Sequence, residues 1–290
     1  RSAYPGSEFI MHEIIWFLAV ILSVPAIYIA YNYINTLMPG QSRTYILQPV
    51  YRLLKLFEKK DDGDNFLAYF FSAGSCLFAL IALYMTVSGY NFLFIVSVLS
   101  MMDLLVITGA VSSSEFSGRI SAKRGLSRFV VWLFTSMVAS ASVYKIAGTL
   151  KLDELAHLSE SSGLIVNLPF TFISLFVILL MKGNLLHFDF GLSGDELSVF
   201  GDALFSPYSG WSLAVIQLAQ WTEIGVWLKI LSAFLPVTKA VSYIIVSLLY
   251  LTFLILDRFV SDIEWKKAAR LSWGWAAGLS IINFIYLFYY

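Results

Sequence analysis

Apolar residues dominate the chain in runs of about twenty, the length that a helix needs to cross the hydrocarbon core of a membrane. Between these runs lie shorter, more polar connections. The pattern predicts an all-α polytopic membrane protein with about eight transmembrane helices. The predicted spans are 12–34, 66–88, 90–111, 128–149, 164–182, 211–235, 238–256 and 270–289.

A different periodicity occupies residues 48–60, between the first two runs. Its apolar residues recur at the i, i+3, i+4, i+7 spacing of one helix face, namely Val50, Leu53, Leu54 and Phe57. The segment is too short and too charged to cross a bilayer. We therefore expect an amphipathic helix that lies in the membrane interface, with its cations facing the cytoplasm.

Lysine and arginine are distributed unequally over the connections. Most of them fall in or beside 35–65, 112–128, 183–210 and 257–270, whereas the other connections and the termini hold only Arg1, Lys151 and Lys239. Because cytoplasmic loops carry the excess of basic residues, the four long connections are predicted to be cytoplasmic and both termini external. The chain is thus expected to be a multi-pass protein of the cytoplasmic membrane.

Composition agrees with this class, since 59% of the 290 residues are hydrophobic and only 13% are charged, about half the charged share of soluble domains. One cysteine and three scattered histidines provide no metal-binding spacing. We expect no metal, cofactor or bond chemistry in this chain itself, and no nucleic-acid partner. Residues 11–290 form one predicted transmembrane domain. Residues 1–10 contain Gly-Ser and Glu-Phe pairs typical of cloning sites and are expected to be vector-derived or disordered.

Ionisable residues inside spans are costly and are therefore candidates for function. Glu223 lies in the middle of the sixth run, and Gln220 lies about 4.5 Å earlier along the same helix, so that both could face one polar pocket. Glu223 either exchanges protons or is held by a hydrogen bond or a lysine. Asp103 is a second candidate. Lys145 could pair with Asp103, although for Lys145 and Lys229 extension to the interface is favoured.

The connection 186–210 is rich in glycine, phenylalanine and acidic residues, including Asp189, Asp195, Glu196 and Asp202. It is too polar for a span and too apolar for a free linker. We expect either an ordered loop packed between the helices and a partner, or an exposed acidic loop.

Four segments resemble motifs of one family, in the same order along the chain. QPVYRLLKL at 48–56 is similar to the helix after the first span in the complex I subunit (NuoH-like) that joins the membrane and peripheral arms. It is closer still to the form in membrane-bound NiFe hydrogenases of the energy-converting Ech/Mbh/Eha type. GLSR at 125–128, PYSGWSLAVIQLAQW at 207–221 and EWKKAARLSWGWAAGLSIIN at 264–283 resemble further family motifs.

This resemblance implies that the chain anchors a soluble redox arm to the membrane. The chain would also form the floor of a cavity that lies beneath the terminal iron–sulfur cluster of that arm. Its expected partners are hydrogenase large and small subunits, a ferredoxin-like iron–sulfur subunit, antiporter-like membrane subunits and membrane lipids. The NiFe centre and the iron–sulfur clusters would belong to those partners. Candidate docking residues are Gln48, Pro49, Arg52, Lys55, Arg128, Asp195, Glu196, Asp202 and Tyr208.

Several acidic positions of the family's proton route are changed. Met137, Pro207 and Gln220 stand where the family has glutamate, and Arg52 stands where it has aspartate. The carboxylate relay therefore cannot be transferred as a whole. Glu223 is the best local substitute and Asp103 the second, which leaves Glu223, Gln220, Asp103 and Lys145 as the candidates for an ion pathway.

The leading hypothesis is a non-catalytic anchor and ion-coupling subunit of a ferredoxin-linked NiFe hydrogenase-like complex that moves H⁺ or Na⁺. One alternative is a NuoH-like subunit of a quinone- or methanophenazine-reducing complex. Another is a stand-alone secondary transporter. The absence of a recognisable internal repeat of spans counts against this last alternative.

Overall fold

The computed structural model describes residues 5–37, 46–59, 66–113, 116–185, 203–205, 207–257, 259 and 265–289. Apart from turns and one isolated bridge between Asn91 and Lys151, the secondary structure of these residues is helical. The helices are α1 (Pro5–Leu37), α2 (Gln48–Glu58), α3 (Phe66–Val87), α4 (Phe92–Ser112), α5 (Phe116–Ala147), α6 (Leu152–Ser162), α7 (Leu164–Asn167), α8 (Pro169–Lys182), α9 (Gly210–Ser232), α10 (Lys239–Asp257), α11 (Trp265–Ser272) and α12 (Leu279–Tyr289). A π-helical stretch, Trp273–Gly278, joins α11 to α12, and Ala203–Phe205 forms a 3₁₀ turn.

Five described helices are long and apolar enough to cross a membrane, and all five lie on predicted spans. They are Glu13–Leu37, Phe66–Val87, Phe92–Ser112, Gly118–Ala147 and Lys239–Asp257. Large apolar side chains on their outer faces, such as Leu22, Leu80 and Leu248, are exposed, as expected where lipid is the solvent. The protein is thus a helical membrane protein, while the number of eight spans stays a prediction.

The predicted span 164–182 is divided into two helices. Leu168 has non-helical backbone angles (φ −129°, ψ 50°), and Pro169 begins α8 because a proline disfavours helical geometry in the preceding residue. The resulting α8 has 14 residues, about 21 Å, which is less than the roughly 30 Å of the hydrocarbon core. The last residue of this short helix, Lys182, is buried inside the bundle.

Helix α9 is the centre of the bundle, where it packs against α1, α2, α3, α8 and α10. Its side chains are buried on almost every face, and Trp227 is among the largest fully buried residues. A helix that is enclosed in this way can hold polar groups away from lipid. Glu223, Gln220 and Gln217 all lie on α9.

The predicted interfacial helix is present as α2, which packs on α9 and α1. Pro49 lies in its first turn, where its missing N–H is not needed. Leu53 is buried beneath the helix, whereas Arg52 and Lys55 are exposed. The apolar face is only partly covered by protein, since Leu54 remains half exposed.

The packing of α9 on α1 requires a glycine. A Cβ atom added at Gly225 would lie 2.8 Å from Cγ1 and 3.2 Å from the carbonyl oxygen of Val20. Because the second of these atoms belongs to the backbone, relief requires that the two helices move apart.

We therefore expect Gly225→Ala to destabilise the protein by about 1–3 kcal/mol, the usual cost of overpacking. Thermal unfolding in detergent measures this loss. Gly274→Ala is the matched control, because a Cβ at Gly274 would meet nothing within 4 Å. Equal unfolding temperatures for the two variants would contradict the close α1–α9 contact.

Candidate functional site

A cluster of three ionisable side chains lies buried in the bundle. The Nζ atom of Lys182, at the end of α8, forms an ion pair with Oε1 of Glu223 on α9 at 2.5 Å. The same Nζ atom also pairs with Oδ2 of Asp103 on α4. The side chains of Lys182 and Glu223 are only 4% and 5% exposed, and that of Asp103 is 20% exposed. One ammonium group therefore joins two carboxylates that are far apart in sequence.

Helix α5 completes the cluster through Trp132. Its Nε1–H donates a hydrogen bond of 2.8 Å to Oδ2 of Asp103, and its ring centroid lies 4.1 Å from Nζ of Lys182. The same ring packs edge-on against Trp227, with the centroids 6.1 Å apart. A charge-assisted hydrogen bond and a cation–π contact thus stabilise ionised groups away from water.

The turn after α8 is held by Arg128, one helical turn before Trp132 on α5. Arg128 donates a hydrogen bond of 2.5 Å from a terminal guanidinium nitrogen to Oδ1 of Asn184. Asn184 has a φ of +53°, in the left-handed region that asparagine tolerates better than most residues. This contact fixes the chain directly after Lys182.

Two cavities border Lys182. The larger, of about 290 Å³, lies beneath α2 and is lined by Gln48, Pro49, Arg52, Asn184, Gln217 and Gln220, among others. The smaller, of about 20 Å³, is lined by Asp103, Arg128 and Glu223 together with apolar residues, and it has room for about one water molecule. Lys182 and Gln220 line both cavities, so they stand between the polar space under α2 and the two carboxylates.

The structure brings together several residues that the sequence pointed to separately. Glu223, Gln220 and Asp103 meet around the cluster, and Arg128 lines its smaller cavity. Of the candidate docking residues, Gln48, Pro49 and Arg52 line the larger cavity, and Lys55 is exposed on α2. Asp195, Glu196 and Asp202 lie outside the described residues.

Two expectations about individual residues need correction. Lys145 is not the partner of Asp103: it is exposed in the last turn of α5, 13 positions beyond Trp132, or about 20 Å along the helix. Tyr208 is not at a docking surface, because its side chain is buried and its hydroxyl donates to the carbonyl of Val106 at 3.1 Å. Burial also raises the pKa of the Tyr208 phenol, which therefore stays protonated.

Lys182 is the residue that sequence reasoning missed. The charge pattern along the chain places Lys182 only among the basic residues beside the connection 183–210, where lysines at the end of an apolar run are usually solvated. A signal was available nevertheless. Asp103 and Glu223 are two acidic residues inside spans, and buried carboxylates require a cationic partner.

The structure is a bundle of membrane helices with one amphipathic interfacial helix, α2, and a cluster of buried charged residues at its centre. These features define the class of protein. A family model described as NADH dehydrogenase matches residues 39–288. The chain belongs to this family, which confirms the resemblance to the complex I subunit. No curated protein matches the sequence.

Solved structures contain chains of similar fold. One belongs to the membrane-bound sulfane sulfur reductase, described as an archaeal respiratory membrane complex. The two chains superpose with a TM-score of 0.70 over 95% of this chain and 99% of the other, with 17% sequence identity. Because the sequence identity is this low, the similarity shows a shared fold.

We expect Lys182→Met to destabilise the protein by about 3–5 kcal/mol, because it leaves two buried carboxylates without their cation. Adding Glu223→Gln to that variant should restore part of the loss, since one stranded charge is removed. Denaturant unfolding in detergent measures both effects. Lys145→Met, which removes an exposed lysine, should change stability little; a similar loss in this control would argue against the cluster.

Proposed function

We propose that this chain is the membrane-anchor and ion-coupling subunit of a multisubunit, complex I-like redox complex. The proposal rests on one observation, the Asp103–Lys182–Glu223 cluster enclosed between helices and bordered by the cavity beneath α2. Family membership supports the class of complex. The cluster supplies a place inside the membrane domain where a proton or another cation can be held and released.

The mechanism follows from the charges of the cluster. One lysine faces two carboxylates, so the second carboxylate requires a proton or another cation when the site is closed to water. If Lys182 shifts towards either Asp103 or Glu223, the other carboxylate loses its counter-charge and gains affinity for a proton. A small displacement of Lys182 would therefore change where the cluster holds its proton.

Helix α2 provides the link to a redox partner. It packs directly on α9, which carries Glu223, and Arg52 lines the cavity that reaches Lys182. A partner that pushes on α2 during electron transfer would displace the helix that covers that cavity. Following the distribution of basic residues, we place this end of the bundle on the cytoplasmic side, with Lys55 and the acidic residues Asp195, Glu196 and Asp202 contributing to docking.

The finer proposal is a ferredoxin-linked, energy-converting NiFe hydrogenase. It is supported by the likeness of QPVYRLLKL to the hydrogenase form of the motif. The NiFe centre and the iron–sulfur clusters would be held by the hydrogenase large and small subunits and a ferredoxin-like subunit, and antiporter-like subunits would continue the ion route. A sulfur-reducing complex is the second candidate, favoured by the fold shared with the sulfane sulfur reductase.

A quinone- or methanophenazine-reducing complex is the third candidate. The cavity beneath α2 is lined by amides and a cation, such as Gln217, Gln220 and Lys182, and also by aromatic and apolar residues, such as Tyr28, Trp221 and Ile224. Such a mixed lining would admit the headgroup of a quinone as well as water and ions.

Purification in mild detergent tests the class of complex. We expect hydrogenase large and small subunits to co-purify with this chain, together with nickel and hydrogen evolution from reduced ferredoxin. Replacing both Arg52 and Lys55 with glutamate should reduce this recovery, because the substitutions reverse the charge of the exposed face of α2.

Lys151→Glu, at the opposite end of the bundle, is the control for that double variant and should leave recovery unchanged. Co-purification of a sulfur-reducing complex without nickel would favour the second candidate. A single-chain protein with uptake activity in liposomes would overturn the proposal. Intact assembly of the double variant would assign the two cations to contacts with anionic lipid.

The ion route is tested by Glu223→Gln, which keeps the shape of the side chain but removes its charge. We expect ion pumping by the reconstituted complex to fall roughly tenfold or more, because Asp103 is then the one carboxylate left in the cluster and Lys182 no longer has two acids between which its charge can shift. Electron transfer from an artificial donor should remain mostly intact. Glu154→Gln, which changes an exposed carboxylate on α6, is the control; unchanged pumping by Glu223→Gln would remove this residue from the route.

A further inference from the structure

A third cavity lies at the end of the bundle opposite to α2, and its mostly apolar lining includes several charged side chains. It has a volume of about 270 Å³ and is lined by residues of α1, α3, α6, α9 and α10. Four charged residues line it, namely Glu13, Asp153, Lys229 and Lys239. Along α9, Lys229 lies 12 positions beyond Gln217, or about 18 Å from the cavity beneath α2.

Lys229 is the unusual member of this group. Its Nζ atom lies 3.6 Å from the ring centroid of Trp16, and the residue is half-buried. Lys239 is neutralised by Asp153, with 2.8 Å between Nζ and Oδ1. Within the described part of the chain, by contrast, no carboxylate forms an ion pair with Lys229. A cation in this position favours an anionic ligand.

The cavity continues into an apolar groove on the membrane-facing surface. It shares Glu13 and Val87 with a neighbouring groove of about 310 Å³. That groove in turn shares Phe17 and Tyr84 with an open, almost wholly apolar one of about 620 Å³. The walls are formed by α1 and α3, with α9 at the far end.

The exposed apolar wall of the groove includes Leu77, Leu80 and Ile81 of α3. From Ala73 to Val87 the groove and the cavity follow 14 positions of this helix, or about 21 Å, somewhat more than half of a hydrocarbon core of roughly 30 Å. This length is close to that of one leaflet together with its headgroup region, roughly 20–22 Å. A ligand that fills both parts must be charged at one end and apolar along its length.

We propose that this cavity and groove bind one membrane phospholipid. Its phosphate would lie against Lys229, a headgroup ammonium would face Glu13, and an acyl chain would follow the groove between α1 and α3. A free phosphate ion would occupy the cavity alone and leave the apolar groove to other lipids. Binding of a phospholipid would therefore depend on the apolar groove, whereas binding of a free phosphate ion would not.

Native mass spectrometry of the purified complex tests the phosphate contact. After delipidation, phosphatidylethanolamine is added, with uncharged diacylglycerol as the comparison lipid. We expect the wild type to retain one molecule of phosphatidylethanolamine but no diacylglycerol. Lys229→Met should weaken retention roughly tenfold through loss of a charge-assisted contact, whereas Lys229→Arg should preserve it, which separates loss of binding from loss of folding.

Lys145→Met, which changes an exposed lysine in the last turn of α5, should retain lipid like the wild type. Leu80→Trp fills the groove and should weaken retention, whereas Leu248→Trp on the exposed face of α10 should not. Retention that is equal in the wild type and Lys229→Met would overturn the proposal. Loss of binding in Lys229→Met combined with full binding in Leu80→Trp would also overturn it, since the ligand would then be a phosphate group without its acyl chain.

Discussion

The interaction on which the centre of this protein depends is the double ion pair of Lys182. A charged group in a low-dielectric interior requires compensation, and here a single ammonium compensates carboxylates from α4 and α9. The indole of Trp132 adds a hydrogen bond to Asp103 from a third direction. Four helices are thereby joined at one point. Two carboxylates share one ammonium, which makes the cluster costly to bury. The same imbalance of charge makes the cluster suitable for holding and releasing a proton.

Helix α9 connects this point to the surface. Gln217, Gln220 and Glu223 follow one another at intervals of three residues. Gln217 lines the cavity beneath α2, Gln220 lines both this cavity and the smaller one, and Glu223 belongs to the charged cluster. Farther along the helix, Trp227 is fully buried. The polar side of α9 therefore begins beneath the amphipathic helix and reaches the carboxylate at the middle of the bundle. This arrangement is the basis of the proposed coupling between a partner on α2 and an ion site at Glu223.

The two ends of the bundle differ in what they offer to their surroundings. At one end, α2 displays cations above a polar cavity and suits a protein partner. At the other end, Lys229 lies over Trp16 beside a cavity that opens into an apolar groove, which suits an amphiphile. A lipid held there would fill the space between α1 and α3 and support the position of α9. Such support would matter because α1 and α9 pack closely at Gly225, where an added Cβ atom would meet Val20 of α1.

Much of the architecture was determined by sequence alone, because hydrophobic run length and helical periodicity are local properties. They correctly predicted the five long apolar helices and the amphipathic α2, and the cost of charge in a membrane marked Asp103 and Glu223. Only the tertiary structure decided which groups meet. Pro169 begins a short α8 that ends at the buried Lys182, which pairs with residues 79 and 41 positions away. Ion pairs of this kind depend on how helices are arranged around α9, a long-range property that a local pattern of apolar and polar residues does not contain.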